Sequence, residues 1–320
     1  MEVSNLKWTE KFQSLLVIAA IFIGLALGQI PWFSRNAIYL IVPALIVMLY
    51  GVFLNTPLNR LGNALQNYKV TGLSLGINFL WTPFFAWGLG AIFLRDTPDL
   101  WVGLIMLMVT PCTDWYLIFT RIAKGDVTLA TALLPWNLLL QVVLLPIYLL
   151  IFAGKLVNIN TLFMLENVVL VLALPLLLAL ISKRLIQKNN HLGERILLKI
   201  AANQTVFLAI AIAAMFASQG QILMQRPDLL LKMLMPVLIF FGVNFWLGQL
   251  IGHLAKFSYE EVACFNCTTL ARNSPIALAI TTSTFGERPL IALALVIGPL
   301  IELPVMVLVS QSLLRLRLQK

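Results

Sequence analysis

Two polar runs interrupt apolar segments of this 320-residue chain, and they contain the side chains best suited to chemistry. The first run, 110–114, reads Thr-Pro-Cys-Thr-Asp, and the second, 271–275, reads Ala-Arg-Asn-Ser-Pro. A thiol coordinates soft centres, a carboxylate carries protons and a guanidinium binds anions. We therefore expect the two runs to form one substrate site from these side chains: Cys112, Thr113, Asp114, Arg272, Asn273 and Ser274.

The prolines in these runs predict breaks in the helices that contain them. Pro111 and Pro275 each lie in the middle of an apolar segment, and a proline inside a helix removes a backbone hydrogen bond and clashes with the preceding turn. In lipid, a broken helix is tolerated only where it is buried in protein or lines a cavity. The N-termini of the half-helices would suit an oxyanion, and the freed carbonyls would suit a cation.

Three ionisable residues fall near the middle of apolar segments: Asp114, Arg272 and Glu302. A charge at the centre of a bilayer costs at least about 2.5 kcal/mol, so such groups normally face the protein interior and pair. We expect Arg272 to pair with Asp114 or with Glu302, and we add Glu302 to the predicted site. The pair either holds the broken segments together permanently or opens when a substrate or a coupling ion binds.

The composition identifies the class of protein. Hydrophobic residues make up 60% of the chain and charged residues 11%, and the mean hydropathy is +0.93, which leaves too few polar residues to cover a soluble globule. We therefore expect an integral membrane protein in a lipid bilayer. The net charge of +9 is spread between the apolar runs, which argues against a nucleic-acid partner. The chain has no nucleotide-binding loop and no nucleophile beside a base, so we expect neither an enzyme nor a cofactor or metal.

Ten apolar runs of roughly 20 residues predict ten transmembrane helices and an all-α fold. The predicted spans are 13–30, 37–54, 70–94, 100–121, 127–152, 161–182, 199–218, 228–253, 260–284 and 288–313. With ten spans, both termini share one side of the membrane. Fifteen of the 22 basic residues fall on that side and six on the other, with Arg272 inside the ninth span. The positive-inside rule therefore places both termini in the cytoplasm of a multi-pass cell-membrane protein.

A faint internal repeat predicts two inverted halves. Gly-Ile-Asn-Phe at 76–79 in the third span matches Gly-Val-Asn-Phe at 242–245 in the eighth span. Because five spans is an odd number, a duplication of that length has inverted topology, and the broken fourth and ninth spans then correspond. The predicted halves are 13–152 and 161–313. Polar side chains inside other spans would extend the cavity: Asn78, Asn137, Gln141 and Asn244.

These motifs resemble those of the bile acid/arsenite/riboflavin transporter superfamily. Pro-Cys-Thr at 111–113, Lys-Gly-Asp at 124–126 and Gly-Pro-Leu-Ile-Glu-Leu-Pro at 298–304 are similar to signatures of the arsenite efflux permeases. The run 271–275 looks more like the broken helix of the sodium-dependent bile acid symporter branch. The resemblance implies a panel domain of spans 1, 2, 6 and 7, and a core domain of spans 3–5 and 8–10 in which the broken helices cross.

Two transport functions follow from the resemblance. It implies roles for Cys112 and Glu302 in a secondary transporter that expels arsenite or a related metalloid oxyanion, coupled to the proton gradient, because As(III) binds thiols. The alternative is a sodium- or proton-coupled symporter of a small organic anion, which Arg272 would hold. Arg272 stands where the symporter branch has glutamine, and a fixed guanidinium would repel Na⁺. From the residues alone, Cys112 could equally be a buried packing residue, and a channel or a scaffold is a third possibility.

Overall fold

The protein is all-helical. The computed structural model describes residues 16, 19–56, 62, 65–113, 115–154, 156, 161–186, 199 and 202–318. Helix accounts for 87% of the structure, and the described residues contain no strand. Residues 19–27 are helical, and the helices that follow are α1 Pro31–Asn36, α2 Ile38–Asn55, α3 Tyr68–Phe93, α4 Pro98–Met108, α5 Trp115–Ile122, α6 Val127–Tyr148, α7 Thr161–Ile186, α8 Gln204–Gln225, α9 Asp228–Leu254, α10 Tyr259–Leu270, α11 Ser274–Thr284 and α12 Pro289–Leu318.

Several of these helices can cross a membrane. Among the described residues, five are long and apolar enough: Ile38–Asn55, Tyr68–Phe93, Val127–Phe152, Asp228–Leu254 and Pro289–Arg317. Two shorter apolar helices are Pro98–Met108 and Gln204–Ser218. The predicted all-α membrane class is therefore confirmed, while the arrangement as ten spans in two inverted repeats stays a prediction. The first predicted span lies partly outside the described residues.

The structure contains an interruption in each of the two segments where proline predicted one. Helix α4 ends at Met108 and α5 begins at Trp115, while α10 ends at Leu270 and α11 begins at Ser274. Pro275 occupies the first turn of α11, where its missing N–H would have had no helical partner. The second break therefore precedes its proline and is separated from it by Ser274.

The chain forms two compact units. The first comprises Met1–Thr56, Leu162–Leu229 and Leu278–Pro289, and the second comprises Pro57–Thr161, Leu230–Ala277 and Leu290–Lys320. Each unit is built from segments that are distant in sequence.

Small residues allow close helix packing in the first unit. Gly24 and Gly28, one turn apart, approach Ala213 and Ala217 of α8, which have the same spacing. A methyl group on Gly28 would lie 2.7 Å from the carbonyl oxygen of Ala217. Since lipid gives no hydrophobic drive for helix association, contact of this kind stabilises helix pairs in membranes.

The second unit is organised around α4. Each residue of α4 from Leu100 to Met108 is buried, so this helix is surrounded by protein on every side. Gly103 packs against Ala294 of α12, and Leu107 packs against Gly298 of the same helix. The end of α4 at Met108 is thereby held inside the unit, and the polar break that follows it is held there too.

Candidate functional site

The two interruptions lie side by side in the second unit. Pro111 and Arg272 form an antiparallel bridge. The N–H of Cys112 donates to the carbonyl of Ala271 at 2.9 Å, and the N–H of Asn273 donates to the carbonyl of Thr110 at 2.7 Å. Extended backbone inside a membrane must find partners within the protein, and each break supplies them to the other. Two runs that are 160 residues apart in sequence therefore form one site.

Cys112 is buried beside the start of α5. Its side chain is part of a residue only 3% exposed, and its sulfur accepts a hydrogen bond from the N–H of Trp115 at 3.2 Å. The N-terminus of a helix carries partial positive charge and stabilises an electron-rich atom placed there. Cys264 and Cys267, the other two cysteines, are buried on α10, and none of the three is in a disulfide.

Asn273 connects the second break to the first. Its Oδ1 accepts from the N–H of Ile276 at 3.3 Å, which caps α11, and its Nδ2 donates to Thr113 Oγ1 at 3.1 Å. Ser274 is buried, and its Oγ has no hydrogen-bond partner in the described part of the chain. Three of the predicted site residues, Thr113, Asn273 and Ser274, thus lie together where the two breaks meet.

The guanidinium of Arg272 binds carbonyls at the C-terminal ends of α4 and α10, the helices that precede the two breaks. Its Nε donates to Leu270 O at 3.1 Å and its Nη1 donates to Met108 O at 2.7 Å. Its Nη2 donates to Thr269 O and, at 3.3 Å, to Asn78 Oδ1. Four of the five guanidinium N–H groups therefore bind neutral oxygens. The carbonyls that were expected to suit a cation are satisfied by a cation that belongs to the protein.

The predicted pair of Arg272 and Glu302 forms through the backbone. Glu302 Oε1 accepts from the backbone N–H of Arg272 at 2.8 Å, and no ion pair joins the guanidinium to this carboxylate. The physical reason is that the break frees an N–H as well as carbonyls, so the carboxylate satisfies the former and the guanidinium the latter. Asp114, the other predicted partner, lies outside the described residues. Phe240 adds a ring face 4.9 Å from the guanidinium carbon.

The four residues predicted to extend the cavity divide into two groups. Asn78 Nδ2 donates to Asn137 Oδ1 and to Thr268 O, both at 3.3 Å. Because Asn78 Oδ1 also accepts from Arg272, these two asparagines are connected to the site through that residue. Gln141 lies one turn beyond Asn137 on α6 and is fully buried. The hydrogen bonds of Asn244 go instead to the indole N–H of Trp81 and the carbonyl of Phe240, and neither is a hydrogen bond to residues of the breaks.

Sequence reasoning expected the freed carbonyls to suit a cation but did not assign Arg272 to them. The carbonyls of Met108, Thr269 and Leu270 bind its guanidinium, and residue type does not indicate which carbonyls a side chain will reach. Thr110 belongs to the first polar run, and its hydroxyl donates to Met106 O at 3.0 Å. Among the described residues, no three His, Cys, Asp or Glu side chains are grouped closely enough to hold a metal ion.

Comparison with known proteins agrees with this architecture. The model of the Sodium Bile acid symporter family matches residues 42–226, more than half of the chain. The chain belongs to this family. The resemblance inferred from the motifs is therefore confirmed, and the protein is an integral membrane transporter of the Sodium Bile acid symporter family.

Curated relatives match almost end to end. An arsenical-resistance protein Acr3 of Corynebacterium glutamicum is 24% identical over 95% of this chain and 88% of its own length. An arsenical-resistance protein Acr3 of Alkaliphilus metalliredigens is 24% identical over 93% of this chain and 90% of its own length. An uncharacterized transporter of Synechocystis is 25% identical over 94% of this chain. Relatives with different names thus match nearly all of this chain.

Proposed function

We propose that this transporter expels arsenite, or a related metalloid oxyanion, from the cell in exchange for protons. The observation that carries the proposal is the position of Cys112, a buried thiol at the junction of two broken helices. At the same junction, the carboxylate of Glu302 accepts a hydrogen bond from the backbone N–H of Arg272. Two relatives that match nearly the whole chain are named arsenical-resistance proteins, which supports the same conclusion.

A single thiol suits transport. As(III) prefers soft sulfur ligands. When arsenous acid meets the thiol, a sulfur–arsenic bond forms, an arsenic–oxygen bond breaks, and the departing hydroxyl leaves as water with the thiol proton. Water readily hydrolyses a single sulfur–arsenic bond, whereas several such bonds would hold the arsenic too tightly for release. Cys264 and Cys267 lie on α10 and are given no part in the proposal.

The coupling ion in this proposal is a proton. Carbonyls at the ends of α4 and α10 form the position where a cation such as Na⁺ would find ligands, but the guanidinium of Arg272 already binds them. A second positive charge at that distance would be repelled. Glu302 can take up and release a proton without any change in these contacts, since its partner is a backbone N–H.

The proposed cycle uses ten spans in two inverted repeats, 13–152 and 161–313, with both termini in the cytoplasm. The first compact unit takes in the predicted spans 1, 2, 6 and 7, and the second takes in most of the other six, apart from Leu278–Pro289. This division supports a panel domain and a core domain. The site described above belongs to the second unit, as a substrate site in the core domain requires.

The alternative, a symporter of a small organic anion, has the name of the family in its favour. Arg272 is the group that would hold the anion. Four of its five guanidinium N–H groups already bind oxygens of the described residues, so a bidentate contact to an anion would break at least one of these bonds and leave a buried oxygen without that partner. The arsenite proposal needs no such rearrangement.

The first test is arsenite accumulation in arsenite-sensitive cells that express this chain. Cys112→Ser keeps a capping atom for the N–H of Trp115 but removes the sulfur, and Cys267→Ser makes the same change at a buried thiol on α10. We expect the parent and Cys267→Ser to lower intracellular arsenite, and Cys112→Ser to leave it unchanged. If the parent, once confirmed in the membrane, leaves arsenite unchanged, the proposal is wrong.

A further inference from the structure

Several helix ends meet at one end of the second unit. The hydroxyl of Tyr259, in the first turn of α10, donates to the carbonyl of Ala123, just after α5, at 2.7 Å. Arg317, near the end of α12, binds Glu260 at 3.2 Å, and its guanidinium carbon lies 5.0 Å from the centre of the Tyr259 ring. Helix α9 ends at Leu254, shortly before α10 begins, so its last turn is at this end too.

Basic residues outnumber acidic ones at this end, and the acidic ones are engaged. Glu260 pairs with Arg317, and Asp126 Oδ1 accepts from an N–H in the first turn of α6 at 2.9 Å. Glu261 accepts from Asn67, directly before α3, which brings the first turn of α3 to this end. Five exposed basic residues here have no ion pair in the described part of the chain, and we call them the basic face: Lys69, Arg121, Lys124, Lys256 and Arg315.

Two lysines of the basic face occupy backbone positions that favour glycine. Lys124 follows α5 with a φ of 55° and Lys256 follows α9 with a φ of 56°, and no other non-glycine residue among those described has a positive φ. In both turns, the residue after the lysine donates its N–H to the carbonyl five residues earlier, at 2.8 and 2.9 Å, a helix ending that usually contains glycine. The positive-inside rule asks for basic residues on one side of the membrane but not at such positions. Backbone conformation therefore does not account for lysine at either position.

Large apolar side chains are exposed beside the basic face. Each lies within two residues of a member of the face, and they are Tyr68, Ile122, Leu254 and Leu316. At the ends of transmembrane helices, apolar groups contact acyl chains while aromatic and long basic side chains reach the headgroup region. A soluble anion would be attracted by the charge but would gain nothing from the apolar side chains. An anionic lipid fits both features.

We propose that the basic face binds the headgroups of anionic phospholipids in the surrounding bilayer, with Lys124 and Lys256 in contact with the phosphate groups. Basic clusters at the ends of transmembrane helices attract such headgroups, and each basic residue near an anionic surface adds to the attraction. The exposed apolar side chains beside the face lie against the acyl chains of the same lipids. The inference does not depend on which substrate the protein carries.

The test titrates the full-length protein in neutral detergent against fluorescent phosphatidylglycerol and follows binding by anisotropy. The variant combines Lys124→Gly with Lys256→Gly, because glycine adopts a positive φ without strain and so keeps both turns. The matched control combines Arg95→Gln with Lys232→Gln, which removes two exposed positive charges at the opposite ends of α3 and α9. We expect the lysine variant to bind at least about fivefold more weakly, the contribution of one basic residue near an anionic surface, and the control to bind as the parent does.

Competition distinguishes a lipid from a soluble anion. Unlabelled phosphatidylglycerol should displace the probe, whereas phosphatidylcholine and glycerophosphoglycerol, which is the same headgroup without acyl chains, should not. Equal displacement by the soluble headgroup would overturn the assignment to lipid. Equal weakening in the control would show a general effect of charge and would overturn the site.

The melting temperature separates lipid binding from a purely structural role of the two lysines. In lipid-free detergent the lysine variant should melt with the parent, and added phosphatidylglycerol should raise the melting temperature of the parent more than that of the variant. If the variant melts at a lower temperature and still binds phosphatidylglycerol as the parent does, the lysines serve only the helix ends and the inference is wrong. Asparagine also tolerates a positive φ, so Lys124→Asn with Lys256→Asn repeats the test if the glycine variant fails to fold.

Discussion

The two breaks share one backbone feature and differ in length and in their side chains. The first spans 109–114 and the second 271–273, and in each a side chain accepts a hydrogen bond from the N–H three residues later. At the first break this acceptor is the sulfur of Cys112 with Trp115, and at the second it is the amide oxygen of Asn273 with Ile276. Only the second break adds a cation, Arg272, which satisfies carbonyls from both.

The difference indicates which break is structural and which is chemical. Asparagine, serine, threonine and aspartate cap helices well, and Asn273 is such a residue. Sulfur is a weak acceptor, so helix stability alone would not select a cysteine at position 112. The second break therefore has the residues that hold the junction together, and we propose that Cys112 at the first break serves through its reactivity.

The largest effect should come from removing the cation at the second break. Arg272→Met would remove four hydrogen bonds and leave the carbonyls of Met108, Thr269 and Leu270 buried. At about 1 kcal/mol or more for each unsatisfied group, we expect a loss of at least about 3 kcal/mol in the free energy of unfolding. Thermal unfolding of the detergent-solubilised protein measures it.

The control for this variant is Arg226→Met. Arg226 pairs with Asp228 at 2.9 Å on an exposed surface, and exposed pairs contribute little, so its melting temperature should equal that of the parent. Equal melting temperatures for Arg272→Met and the parent would show that the guanidinium does not hold the junction together, and the comparison of the two breaks would lose its basis.

A smaller effect on stability and a large one on coupling should follow from Glu302→Gln. Glutamine retains an oxygen for the N–H of Arg272, so we expect unfolding free energy to change by less than about 1 kcal/mol. It cannot carry the proton, so stimulation of arsenite transport by a pH gradient should disappear. Glu302→Ala, which removes the acceptor as well, should lose both stability and coupling. Unchanged stimulation in Glu302→Gln would exclude this residue as the proton carrier.

Sequence reasoning located the breaks because proline coincided with polar neighbours. Proline alone would have misled, since Pro135, Pro146, Pro299 and Pro304 lie inside helices that continue past them. The partners of Arg272 were not predictable, because most are backbone carbonyls that any residue could supply. The sequence analysis paired Arg272 with Asp114 or Glu302, on the rule that buried charges pair with opposite charges. In the structure, Glu302 accepts from the backbone N–H of Arg272 and the guanidinium binds freed carbonyls, while Asp114 lies outside the described residues.

The smallest effect compares the two capping positions directly. Asn273→Ala removes the cap of α11 and the bond to Thr113, and loss of such a cap costs about 1 kcal/mol. Cys112→Ser replaces a weak acceptor with a good one, so we expect its unfolding free energy to equal or slightly exceed that of the parent, although its transport should be lost. Chemical denaturation measures both. If Cys112→Ser were instead as destabilised as Asn273→Ala, the sulfur would have a structural role at the first break, and the loss of transport in that variant would no longer identify a reactive thiol.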